Sequence, residues 1–226
     1  MRKYISVFLM SLGKFIFRFF YECEVKWLKK GPGDPWKNVS LFVFLNHTSL
    51  FEPLFLIGMP YIFIFEHAPK MLAPGADVTL MRPFVGKIYA LIFPGMIPIT
   101  RKRDDSWEHF LSLIKKGDFV AIAPEGRMKR ATGLDKEGKP MSVMGGISDI
   151  LKVIGSGNMI LGYSGGLHHV QVPGQHLPKF FKTIKMNYEL ERIEDFIALC
   201  ESKGEASFKQ AVSSELEERM KKNIPS

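Results

Sequence analysis

The sequence predicts an α/β domain, a single unit with a mixed, largely parallel sheet flanked by helices. Three observations lead there. From Ser40 onward, short apolar runs of strand character alternate with longer segments of helical period. A chain of 226 residues, 46% of them hydrophobic, suits one compact domain with a sizeable core and at most an appendage. Polar or charged residues follow directly on several predicted strands, where such sheets collect their functional groups.

In chain order, residues 1–36 are expected to form an N-terminal amphipathic, membrane-associating helical segment, and residues 37–226 the domain. The uncharged run Tyr4 to Gly13 is about half of the ~20 residues needed to cross a bilayer, and Lys14 and Arg18 interrupt the apolar residues after it. A signal peptide would need a small-residue cleavage site, and none precedes the aromatic "FIFRFFY". At helical spacing Ile5, Phe8, Leu9, Leu12, Phe15, Ile16 and Phe19 form a wide apolar arc, with Ser11, Lys14 and Arg18 as a narrow polar stripe. Such a helix can pack on the domain, or lie in a membrane interface with its phenylalanines down; phenylalanine density and the basic flank favour the interface. The breaker "GPGDP", at 31–35, closes the segment. Within the domain, strands are expected at 40–45, 61–65, 96–100, 119–123, 159–163 and 182–188, and helices at 84–92, 105–116, 146–154 and 205–222.

The net charge of +8 calls for an anionic partner: nucleic acid, a membrane surface or a phosphorylated substrate. No basic helix or recognisable nucleic-acid module is present, so nucleic acid is excluded as a partner. Two cysteines, Cys23 and Cys200, without metal-like spacing point to a reduced, intracellular setting, hence the cytoplasmic face of a membrane, peripheral or monotopic.

Three predicted strand ends carry the candidate chemistry: Asn46-His47, Arg101-Lys102-Arg103 and Glu125-Gly126-Arg127. A base and two cationic groups at one rim suit a phosphorylated substrate that loses a proton. Around the first, "FVFLNHTSLFEP", Glu52 could close a capping box on the Ser49 amide. Pro53 opposes this, because the residue before a proline is pushed out of the α region. A helix starting at Pro53 leaves 47–52 as a turn that can bring imidazole and carboxylate together. A carboxylate on one ring nitrogen fixes the tautomer and leaves the other nitrogen to accept a proton from a hydroxyl.

A rival motif, "GYSGG" at 162–166, matches the nucleophile elbow of hydrolases with Ser164 as nucleophile. No acid-then-histidine order follows Ser164, and the prolines and glycine of "VQVPGQHLP" oppose the required helix. The segment is therefore read as a core strand entering a glycine turn, and His168 and His169 as structural rather than metal ligands.

The ordered blocks "NHTSLFEP", "RPFVGKIYALIFPGMIPITR", "AIAPEGR" and "NMILGYSG" resemble the four motifs of the glycerolipid acyltransferases, which include 1-acylglycerol-3-phosphate acyltransferase, over roughly residues 40–190. The resemblance implies that His47 is the general base and Glu52 its orienting partner. It implies that Arg101 holds the acceptor phosphate, that Glu125 and Gly126 sit beside the acceptor, and that Lys70 is a further phosphate ligand. The implied acceptor is a lysophospholipid and the co-substrate is acyl-CoA or acyl carrier protein, with no cofactor and no metal. Two departures stand out. The acid is Glu52 where most of the family have Asp, although related lipid A acyltransferases often have Glu. The third block reads Glu125-Gly126-Arg127-Met128, with arginine one position early, so Arg127, Lys129 and Arg130 are all candidates for the anion. The loop "ATGLDKEGKPMSVMGG" is open to two readings, substrate loop or surface loop. The altered third block also leaves a competing function, a membrane lipid-binding protein that kept the fold and lost the activity.

Overall fold

The computed structural model describes residues 2–100, 104–172, 175 and 177–225. Helix α1 (Arg2–Phe20) runs straight into strand β1 (Tyr21–Lys29), and β2 (Val39–Leu45) leads into the turn that carries His47. A 3-10 turn (Glu52–Gly58), α2 (Tyr61–His67), a second 3-10 turn (Ala68–Lys70), β3 (Met71–Ala76), α3 (Asp77–Leu80), α4 (Val85–Ile92) and β4 (Met96–Ile99) follow. Then come α5 (Ser106–Leu113), β5 (Phe119–Ile122), α6 (Gly146–Ile154), β6 (Asn158–Ser164), β7 (Lys182–Arg192), α7 (Ile193–Ser202) and α8 (Phe208–Asn223).

Among the described residues seven strands form one sheet in the order β1-β7-β6-β2-β5-β3-β4. The β6–β7 pair is antiparallel and the others are parallel. The unbroken apolar run of β2 is what a strand covered on both faces requires. Leu41, Val43 and Leu45 enter one core with Ile147, Leu151, Phe196 and Leu216 of α6, α7 and α8. Phe42 and Phe44 point the other way, into a core with Leu54, Phe55, Phe63 and Tyr188.

Four departures from expectation have local causes. Residues 61–65 form a helix, α2, whose Phe63 and Ile64 are buried while Ile62 and Phe65 are exposed. The short apolar run "YIFIF" suits either element, and amide donation from Phe63 and Ile64 to the Pro60 carbonyl starts the helix. The strand beside β5 is instead β3, whose "MLAPGA" has little strand character. Its Gly75 allows a close approach, since a Cβ there would lie 2.7 Å from Met96 of the paired strand β4. Helix α7 was not expected at all. Finally, the N-terminal segment does not stand apart from residues 37–226: residues 21–29 are an edge strand of the main sheet, with Cys23 level with Ile184. The alternation of Glu22, Glu24 and Lys26 with Tyr21, Cys23, Val25 and Trp27 is the period of two that a helical reading overlooks.

Helix α1 is inverted relative to an ordinary surface helix. Val7 and Met10 join a small core with Leu56, Ile64 and Ala68. Lys14, placed on the polar stripe, is only 3% exposed. Its Nζ donates to Leu56 O (3.1 Å) and Ile57 O (2.6 Å) and lies 4.9 Å from the centroid of the Tyr61 ring. Burial and the nearby Arg18 lower the Lys14 pKa to about 8. Phe8, Phe15 and Phe19 face outward, 62%, 55% and 64% exposed. Among the described residues no helix is long and apolar enough to cross a membrane.

Candidate active site

Strand β2 has β5 on one side and β6 on the other, all parallel. The loops leaving their C-terminal ends therefore meet, and the site is built from these three loops.

The first loop begins with Asn46 in the left-handed region, φ 67°. Asparagine tolerates this conformation better than bulkier residues. The reversal is held from the neighbouring loops. Asn46 Nδ2 donates to Ser164 O (2.8 Å), and Glu125 Oε1 accepts from the amides of Asn46 (2.6 Å) and His47 (3.3 Å). Glu125 thus lies buried under the turn, with Oε1 on the backbone amides. Burial raises its pKa, against the Asn46 amide and the His47 charge, which lower it. Gly126, at φ 62°, supplies the bend just after it, and its amide donates to Ala123 O (3.1 Å).

The turn then delivers the pair. His47 Nδ1 and Glu52 Oε2 are hydrogen-bonded, while Glu52 Oε1 accepts from the amides of Thr48 (2.7 Å) and Ser49 (3.3 Å). The two readings of Glu52 are therefore both realised, with one carboxylate oxygen for each. The longer glutamate arm lets the carboxylate fold back over the turn and still reach the ring. The 3-10 turn Glu52–Gly58 begins after Phe51, with no side-chain cap, and Pro53 is its second residue. Because a carboxylate oxygen only accepts, the Nδ1 proton is fixed on that side and Nε2 keeps its lone pair. Burial lowers the His47 pKa, but the Glu52 charge and hydrogen bond and the Glu125 charge outweigh it, so the net shift is upward from 6.5.

Sequence reasoning missed several supports of this turn. Tyr89 of α4 donates its hydroxyl to Leu50 O (3.0 Å), and its pKa is pushed up to about 12 by burial and by the Glu52 charge. Thr48 Oγ1 accepts from the Leu167 amide (2.8 Å), and Ser49 Oγ donates to Gln171 Oε1 (2.9 Å). The "GYSGG" segment is the wall behind the histidine. Ser164 is fully buried, with its Oγ accepting from the Gly166 amide (2.9 Å), which leaves no exposed nucleophile. Its polar residues after an apolar strand were the signal that could have found it.

The cations separate. The Lys129 amide donates to His47 O (2.7 Å), and His168 donates Nε2–H to Lys129 O (2.7 Å), tying the second loop to the first. Lys129, Arg130 and His168 line an open pocket of about 400 Å³ with Asn46, Thr48 and Gly166. Arg127 points elsewhere, paired with Asp135 in its own loop, whose carboxylate also accepts from the amides of Glu137 (2.8 Å) and Lys139 (2.9 Å). Arg101 lies outside the described residues. Lys70 does not belong to the site. It precedes β3, whose Leu72 is level with Val120 of β5 and so with Leu41, which puts Lys70 at the opposite rim from His47. Six strand steps separate the level of Lys70 from the end of β2 at Leu45, about 20 Å at ~3.3 Å per residue.

The Acyltransferase family model matches residues 35–154, more than half of the chain. The chain belongs to the acyltransferase family. The matched span holds both members of the His47–Glu52 pair and Glu125 of this acyltransferase, while the wall at 164–171 lies beyond it. The fold is similar to that of the 1-acyl-sn-glycerophosphate acyltransferase PlsC from Thermotoga maritima. The TM-score is 0.62 at 17% identity, over 98% of this chain and 78% of that one. No protein of curated function matches the acyltransferase by sequence.

Proposed function

We propose that the protein transfers a fatty acyl group from acyl-CoA or acyl carrier protein to the hydroxyl of a lysophospholipid such as 1-acylglycerol-3-phosphate. The reaction would take place at the cytoplasmic face of a membrane, in phospholipid biosynthesis or remodelling. The observation that carries this reading is the histidine–carboxylate pair in a turn held from three sides, beside a pocket lined by cations.

In this mechanism Nε2 of His47 takes the proton from the acceptor hydroxyl as its oxygen attacks the thioester carbonyl. The developing imidazolium is stabilised through Nδ1–H by Glu52. Collapse of the tetrahedral intermediate breaks the carbon–sulfur bond, and the thiolate recovers the proton from Nε2. The histidine ends neutral, so no cofactor or metal enters the balance. Lys129 and Arg130 supply the charge for the acceptor phosphate from the second loop. Both donors present the same thioester. The orientation at the membrane follows from the outward phenylalanines of α1, with the net charge of +8 attracting anionic lipid.

The test is to supply the purified protein with labelled acyl-CoA or acyl carrier protein and a panel of lysophospholipids. Acylation of at least one acceptor, lost in His47→Ala, is expected; no product with either donor, or equal turnover by the variant, overturns the reading.

A further inference from the structure

Next to the outer end of α1 lies a loop that the catalytic reading does not use, residues 177–181, "LPKFF". Phe181 is 78% exposed, yet its backbone sits in the left-handed region at φ 56°. That conformation disfavours a bulky side chain, and it persists only where the surroundings impose it. Here they do: the Phe181 amide donates to Phe20 O (2.7 Å), and β7 begins at the next residue, with Lys182 level with Tyr21 of β1. The chain thus holds a phenylalanine outward at a strained position where a glycine would be easier. Phe180 and Phe181 lie 5.3 and 6.0 Å, centroid to centroid, from Phe20, so their rings continue the apolar face of α1. Over residues 15–22 and 177–183 the charges are Arg18, Lys179 and Lys182 against one carboxylate, Glu22.

We infer that the 177–181 loop is a second membrane-contact element, inserting Phe181 into an anionic bilayer alongside the phenylalanines of α1. Apolar rings ringed by exposed cations fit a negatively charged lipid surface, with rings among the acyl chains and lysines at the phosphates. The inference rests on the reading that α1 faces a membrane, and it adds an anchor about 160 residues away in sequence but adjacent in space. Two contacts on one rigid face would fix the angle at which the site meets the lipid, which a single helix lying in the interface would not.

The test uses the full chain, because deleting residues 1–30 would also remove β1 and the Lys14 contact. Sedimentation with phosphatidylcholine–phosphatidylglycerol vesicles is compared for the parent, Phe181→Gly, and a control with Phe8→Ser and Phe15→Ser. Glycine suits φ 56°, so the thermal midpoint of Phe181→Gly should stay level or rise while vesicle affinity falls on the order of ten-fold, the loss of one inserted phenylalanine. Phe181→Trp should show blue-shifted emission on vesicles and quenching by lipids brominated in their chains. If the parent ignores vesicles, the membrane reading of α1 itself falls. If the parent binds and the α1 control weakens, but Phe181→Gly binds like the parent or Phe181→Trp is not quenched, the loop proposal alone is overturned.

Discussion

The turn that carries His47 and the cation loop are hydrogen-bonded to each other, Lys129 amide to His47 O, and are built in opposite ways. In residues 46–52 the backbone is closed before any substrate arrives, with amides 46 to 49 engaged by Glu125 and Glu52. In residues 127–135 the Arg127 side chain pairs with Asp135, while Lys129 and Arg130 line the pocket with long, adaptable side chains. The difference matches what the proposed mechanism asks of each. Proton transfer tolerates little error in position, so the turn is pre-organised. Phosphate binding tolerates more, because a lysine is a point charge on a flexible stem.

That contrast can be broken at several depths. The largest effect is expected for His47→Ala, a fall in kcat of roughly 10²–10⁴ with KM little changed, as loss of a general base requires. Glu52→Gln should cost less and leave a mark in the pH profile. The base works only when neutral, so the raised pKa of His47 places the acid limb of kcat/KM above 6.5. Without the carboxylate, burial dominates and the limb should move to lower pH; an unmoved limb would mean that Glu52 does not set the histidine. Glu52→Asp sharpens the point, since the shorter arm, by about 1.5 Å, cannot serve both the ring and the two amides. A drop in kcat is expected, smaller than for glutamine if the ring contact is kept. Lys129→Ala should raise KM for a phosphate-bearing acceptor by about ten-fold with kcat spared, the signature of a charged hydrogen bond lost in ground and transition state alike. The smallest kinetic effect is expected for Arg127→Ala, which should lower the thermal midpoint and leave KM near the parent value. A KM change matching that of Lys129→Ala would place Arg127 at the phosphate after all.

Much of the turn was legible because its determinants are local. Pro53 keeps Glu52 out of a regular α-helix, although the chain opens a 3-10 turn at Glu52 itself and not at Pro53 as expected, and His47 and Glu52 are close enough in sequence for one turn to join them. The positions of Glu125 and Ser164 were not legible, because they depend on β5 and β6 flanking β2, a matter of strand order that periodicity does not encode. The same gap misplaced Lys70: its loop is near the motifs in sequence, but the direction of β3 puts it at the far rim. The run 61–65 failed for another reason. Five apolar residues satisfy a strand or a buried helix equally, and burial of Phe63 and Ile64 together, on adjacent positions, decides for the helix.

The pairing of β1 with β7 has a consequence for how the chain matures. Cys23 finds its partner only at Ile184, so β1 leaves the ribosome long before the strand that satisfies it. At the usual pace of synthesis the intervening residues take about ten to thirty seconds to appear. Throughout that interval β1 has no neighbour in the sheet, and the outer edge of β6, once made, stays open until β7 joins the two. A nascent chain stalled before Lys182 should be cut by protease within residues 21–29, and a chain released beyond Arg192 should resist. Equal protection in both would show that the N-terminal strand folds without its partner.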